Sequence, residues 1–328
     1  MADNEVQIPG DREPTPQEWL KLLQKGVREF NRFREQHRAW VPRFDEATDL
    51  RKACLEGINL QQAKLRQANL GWARLKRADL RFADLEGANL EQAVLNGARL
   101  QGAKLAGARL RRARLKGADL RKASLRGADL TWAELPEADL GGADLDSADL
   151  NRANLAAANA RGADFQKAKG LDKANLKGLI IDSKTRFWGV DAASIRPWYP
   201  VLARAIMDAQ FVEDFENQHP RIAWVWWLVS DYGRSLLRWA LCSLVIALTL
   251  GLIFTFLFPG SFELRPGREA TWFTYFYFSI VTFTTLGFGD VVPKDLLGEI
   301  LLSLEVVLGY VMLGGLVSIL ATKLARRS

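Results

Sequence analysis

Apolar residues follow two regimes along this chain. Leucine holds every fifth position from Leu50 to Leu155, and alanine holds every fifth position from Ala63 to Ala168, two residues ahead of each leucine. The position between them is mostly Asp, Asn, Arg or Lys, so the unit reads Ala-polar-Leu-x-x. The series runs on through Ala160 and Phe165 and slips by one after Gly170, where Ala174-Asn175-Leu176 resumes it. A period of five fits neither the 3.6 of a helix nor the 2 of a strand. One leucine and one alanine per repeat lie inside together only if the chain turns a corner once per repeat, which predicts a solenoid. The second regime follows residue 233. Residues 239–262, 270–289 and 306–322 contain no Asp, Glu, Lys or Arg, and about 18 such residues suffice to cross a bilayer as a helix.

The flanks of the repeat read as helices. Thr15-Pro16-Gln17-Glu18 is a capping box with proline at the first helical position, and Trp19, Leu22, Leu23, Val27, Phe30, Phe33, His37 and Trp40 form an apolar stripe ended by Pro42. This predicts a helical cap over the open end of the solenoid. Residues 179–233 lose the repeat and gain aromatics; Pro200 through Glu216 has helical apolar spacing, which Pro220 breaks. Trp224, Trp226 and Trp227 just before a span predict a helix along the membrane interface. Trp188 and Trp198 serve equally well to close the far end of the solenoid.

Charge sets the orientation. Arg234 and Arg238 precede the first span, while Lys323, Arg326 and Arg327 follow the last, so both termini are expected in the cytoplasm. An even number of crossings then requires the window 270–289 to enter the membrane and return. No signal peptide is expected at the start of the chain. Mean hydropathy is −0.08, too polar for a membrane protein throughout. Cys54 and Cys242 stand far apart and His37 and His219 have no cluster around them, so neither a disulfide framework nor a metal site is expected. Nor is there a nucleophile–base pair to suggest an enzyme.

The repeat run resembles the pentapeptide-repeat family over roughly residues 48–178. That resemblance implies a right-handed quadrilateral β-helix with four repeats per coil, leucines filling the axis. Residues 51–170 then make about six coils, a rod on the order of 29 Å at the usual strand spacing. Some relatives are acidic mimics of DNA, but here 22 Lys and Arg face 14 Asp and Glu over residues 51–170, which removes the electrostatic basis of that role. No nucleic-acid partner is expected. Ten basic residues and one acid lie between Arg99 and Arg126, and seven acids with no base between Asp129 and Asp149. They are either simply solvated or a docking face for an anionic ligand, a lipid headgroup or a neighbouring subunit.

Thr284-Thr285-Leu286-Gly287-Phe288-Gly289-Asp290 resembles the T-T-V-G-Y-G-D pore loop of the potassium channel superfamily. The resemblance implies potassium sites formed by the carbonyls of Thr285, Leu286, Gly287 and Phe288 and the Thr285 hydroxyl, with Gly289 completing the filter and Asp290 at the outer mouth. Gly287 and Gly289 permit the alternating backbone this needs. Phe288 replaces the family's tyrosine, and Tyr277 and Phe278 replace its pore-helix tryptophans, so with Thr284 they would support the filter differently. Gly309 stands at the family's inner-helix hinge, followed by Gly314 and Gly315; hinge and close packing are both open. Glu305 is an intramembrane acid, a functional candidate or an acceptor for the pore helix.

The expected architecture is multidomain: a helical cap (1–47), a β-solenoid (48–178), a Trp-rich connector with an interfacial helix (179–233) and an all-α two-span pore domain (234–328). The last divides into an outer helix 236–258, pore helix 272–284, filter 285–289 and inner helix 297–322. The implied function is a potassium-selective homotetrameric channel in a prokaryotic plasma membrane, with lipid and its own copies as partners. No organic cofactor is expected. A weakly selective cation channel, or a membrane-anchored scaffold with a silent pore, are the alternatives.

Overall fold

The computed structural model describes residues 12–44, 48–195, 199–233, 235–258, 260–264, 271, 273–284 and 291–325. The chain divides after Glu213 into two compact units.

The first unit is the solenoid with its two covers. Parallel bridges join residues 20 apart, from Asp49 with Asn69 to Asp149 with Lys169, so four pentapeptides make one coil. Every leucine of the run is buried on the axis, 4 % exposed or less, and the alanines are buried beside them. Each corner is a turn in which alanine N–H returns to the preceding leucine carbonyl, as from Ala113 to Leu110 at 2.9 Å. The second corner residue has positive φ, Arg112 at 55° and Gly117 at 61°, as a type II turn requires.

The ladder outruns the sequence period at both ends. Its first bridge joins Arg43 to Lys64, and its last joins Asp164 to Arg186. The parallel bridges thus extend beyond the expected 48–178 on both sides. The coil absorbs one extra residue after Gly170 (Asn154 pairs with Asn175) and another before Arg186. Gly170 makes the first insertion possible: it has φ 73°, and a β-carbon there would lie 2.5 Å from Asn151 Cα. Phe165 and Phe187 stack at 5.4 Å and 4° where leucines would otherwise meet.

Two helices cover the N-terminal end, where the stripe suggested one continuous element. α1 (Pro16–Gln24) carries the predicted capping box at Thr15 and Glu18, and α2 (Val27–Gln36) follows a break at Gly26, whose φ of 109° favours glycine. Trp19 and Phe30 are fully buried between them. Asn31 on α2 donates to Gly57 O (2.9 Å) and accepts from Asn59 N–H (2.8 Å), pairing backbone groups that the first coil leaves open. His37 stacks between Phe33 and Trp40.

At the other end, α3 (Ala192–Ile195) leads to α4 (Pro200–Gln218). Ala203 and Ile206 of α4 join the solenoid core. Gln210 Nε2 donates to the carbonyls of Phe187 (2.8 Å) and Val190 (2.7 Å), and Glu213 accepts from Gln166 and Arg186, each at 3.0 Å. The helix over 200–213 thus seals the coil. Trp188 lies beside it with Lys167 above its ring; Trp198 falls outside the described residues.

The second unit is helical. α5 (Pro220–Ser230) turns Trp226 against Phe215 and Tyr232 and leaves Ile222, Trp224, Val225, Trp227 and Leu228 exposed. α6 (Leu236–Phe256) begins on a Ser235 cap. After it come strand β1 (Phe262–Leu264), helix α7 (Thr274–Phe283), strand β2 (Val291–Pro293) and helix α8 (Leu296–Ala325). The two strands pair antiparallel.

Candidate functional site

α6 and residues Leu296–Ala321 of α8 are long and apolar enough to cross a bilayer, each with mean hydropathy 2.2. Their outer surfaces carry exposed apolar side chains, among them Leu237, Phe256, Leu304 and Tyr310. α7 is too short to cross and lies against both. Phe278 packs 6.2 Å from Phe254 on α6 and 5.7 Å from Phe262 on β1, so this expected filter support faces the outer helix. Tyr277 is half-buried, and the Thr284 hydroxyl turns back to donate to Ile280 O at 2.8 Å.

Glycines set how closely α7 is held. A β-carbon at Gly251 would stand 3.0 Å from Phe276 Cα, and one at Gly309 would collide with the carbonyl of Phe283. Gly309 is therefore the seat for the end of α7. Gly315 is likewise filled by the ring of Trp239, whose Nε1–H donates to Met312 O at 2.7 Å. Gly314 meets no atom within 4 Å.

A buried polar node ties the three helices together. Ser279 Oγ on α7 lies 2.7 Å from Ala247 O on α6 and within hydrogen-bond reach of Glu305 Oε1 on α8. Ser279 and Glu305 are 0 % and 1 % exposed. One hydroxyl proton serves one of the two acceptors at a time, and Glu305 Oε2 has no partner among the described residues. A lone acid at this depth is costly unless bonded, so the node fixes α7 between its neighbours.

The loop after α7 is anchored at both ends. It leaves from Thr284 and returns through β2, whose pairing with β1 is extended by Lys294 N–H to Ser261 O at 2.8 Å. Asp295 then caps α8 through Gly298 N–H (2.7 Å) and accepts from Ser261 Oγ (3.0 Å). Thr285, Leu286, Gly287, Phe288, Gly289 and Asp290, the expected potassium sites and outer mouth, lie outside the described residues. The helices come out near their expected bounds: the outer one ends at Phe256 instead of 258, the short one starts at Thr274 instead of 272, and the inner one runs from Leu296 to Ala325.

Sequence reasoning missed Ser279, Gly251 and Trp239. Gly251 carried a signal, a small residue inside an apolar helix. The serine and the tryptophan did not stand out from other polar and aromatic residues nearby. Among the described residues no group of His, Cys, Asp or Glu could hold a metal ion.

Known proteins match the two units separately. The pentapeptide-repeat family matches between residues 46 and 178, and a family described as ion channel matches residues 241–326. Potassium channel protein kcv of Paramecium bursaria Chlorella virus 1 is 43% identical over 42 residues, 11% of this chain and 45% of its own length. A pentapeptide repeat protein from Nostoc PCC 7120 is 35% identical over 32% of this chain and 84% of its own, with a TM-score of 0.28. One from the thylakoid lumen of Arabidopsis thaliana is 36% identical over 26% of this chain and 61% of its own, with a TM-score of 0.26. This chain therefore spans under half of the viral relative and under two thirds of the plant one. The protein joins a β-solenoid that matches the pentapeptide-repeat family to a helical region, with two apolar, span-length helices, that matches the ion-channel family.

Proposed function

We propose that four copies of this chain surround one axis and conduct potassium ions passively. The observation that carries the reading is α7, a ten-residue apolar helix held between two span-length helices and leading directly into Thr285–Asp290. Irregular backbone is tolerated at membrane depth where protein or a water-filled cavity surrounds it. In this reading the carbonyls of Thr285, Leu286, Gly287 and Phe288 replace the ion's hydration shell. The negative C-terminal end of α7 favours a cation near Thr284. One loop supplies only part of a ring, hence four copies related by a cyclic axis.

Both termini and the solenoid then lie on the cytoplasmic side, following the basic flanks of the spans, in a prokaryotic plasma membrane. The solenoid biases the inner-helix gate through the connector. Gly309 and Gly315 are occupied by Phe283 and Trp239, which leaves Gly314 as the flexible position of α8.

Flux into liposomes holding the purified full chain tests the reading, with potassium and sodium gradients compared and barium added as a filter blocker. Potassium-selective, barium-sensitive flux is expected. The orientation of Phe278 toward α6 favours one second reading, a filter whose loosened surround admits sodium; comparable sodium flux would establish it. Silence under every gradient would return the protein to a membrane-anchored scaffold.

A further inference from the structure

The four corners of the solenoid differ in how they meet the same backbone requirement. At each corner the second turn residue has positive φ, a conformation that strains a residue with a β-carbon and costs glycine almost nothing. Three corners take glycine at half of these positions: Gly57, Gly97 and Gly117 on one, Gly102, Gly142 and Gly162 on the next, Gly87, Gly107 and Gly127 on the third. The fourth corner runs Lys52, Trp72, Gln92, Arg112, Trp132 and Arg152, one residue per coil, all with φ between 55° and 60° and none of them glycine. Left-handed strain kept at successive positions signals a role for the side chains.

Five of the six ridge residues are cations or indoles, with Gln92 between Trp72 and Arg112. Trp72 is 43 % and Trp132 44 % exposed, and the Arg152 guanidinium lies 4.6 Å over the Trp132 ring. Elsewhere basic residues pair with acids about one coil away, as Arg114 does with Glu134, Lys116 with Glu137 and Arg126 with Asp146. Among the described residues Arg109, Arg111 and Arg112 make no such pair; Asp129, one coil from Arg109, is turned to Thr131, and Glu91, one coil from Arg111, makes no ion pair among them either. The result is a row of cations and indoles along the rod.

We propose that this ridge docks on an anionic lipid surface. The span-length helices of the same chain keep a bilayer at high effective concentration. Tryptophan favours the headgroup zone and each basic residue adds attraction to anionic lipid. The proposal rests on the membrane-anchored part of the functional reading and not on conduction.

Arginine labelling by phenylglyoxal, read by mass spectrometry on the full chain in nanodiscs, tests it. Labelling of Arg109, Arg111 and Arg112 is expected to slow roughly tenfold in nanodiscs containing phosphatidylglycerol relative to phosphatidylcholine alone, and to recover in high salt. A variant with Trp72→Gly, Arg112→Gly, Trp132→Gly and Arg152→Gly relieves backbone strain, so it should fold at least as well. Its Arg109 and Arg111 should label equally in both lipids. Equal labelling of the native chain in the two nanodiscs overturns the proposal, as does protection by an added oligonucleotide with none from lipid. Potassium flux measured on the same protein separates the readings: protection with a silent pore upholds the ridge, and flux without protection refutes it.

Discussion

Glu18 accepts from Arg12 and from the Thr15 backbone N–H (2.7 Å), and these bonds, the arginine's first, lower its carboxyl pKa to about 2. A carboxylate held below its ordinary 4.5 supports the fold fully above that pH and loses its effect as the pH falls through about 2. Tryptophan fluorescence from the N-terminal cap should therefore show an acid transition in that window, absent in Glu18→Gln. At Gly309 two effects compete. Alanine gains about 1 kcal/mol of helix propensity but meets the Phe283 backbone, and overpacking costs about 1–3 kcal/mol. Thermal unfolding should show Gly309→Ala destabilised relative to Gly314→Ala, whose added methyl meets no atom of its own chain; equal melting would mean that α7 has room to retreat.

Helix contacts in the channel domain depend on a few polar fixings. Trp239→Phe removes the N–H that reaches Met312 O, a bond contributing about 0.5–1.5 kcal/mol, together with the part of the indole that fills the space at Gly315. α6 and α8 should then separate more easily, seen as faster amide exchange around Met312. Glu305→Gln can still accept from Ser279, whereas Glu305→Leu cannot; loss of thermal stability in the leucine variant with rescue by glutamine would identify the bond as the positioning contact. In the solenoid the packing is denser and less forgiving. Leu110→Ala, at 1 % exposure, should cost about 2–5 kcal/mol by denaturant titration.

For the whole molecule, the ladder through Arg186 and its α4 cover decide where the chain can be cut. Removing residues through 180 would strand Arg186, whose backbone pairs with Ala163 and Phe165, and uncover Ala203 and Ile206, which α4 buries in the solenoid core; removing the unit through Glu213 leaves no half-coil. Single-channel recording of that deletion tests whether the solenoid biases opening: altered open probability is expected, and unchanged opening reduces the rod to a scaffold. The inside of the rod was legible in the sequence because every leucine and alanine repeats one environment. The insertions at Gly170 and before Arg186 were less so, since a ladder tolerates an extra residue that ends a strict period. Four repeats per coil already imply that residues 20 apart, such as Arg126 and Asp146, are neighbours, but which cations reach an acid across that distance came only with the fold. In the channel domain, length and hydropathy disclosed the helices, whereas Ser279 and Trp239 acquired meaning only from the partners that folding brings to them.

The offset of 20 residues between bridged positions also governs how such a rod can change length over generations. An insertion of one pentapeptide leaves the leucine and alanine pattern intact, yet it rotates every later residue by a quarter turn, carrying Trp132 and Arg152 off the corner they share with Trp72 and Arg112. Duplication of a whole coil restores all four faces at once. The core is thus indifferent to growth in fives while the surface accepts it only in twenties, so gene-length variation in this segment is quantised by what the outside of the rod must keep aligned.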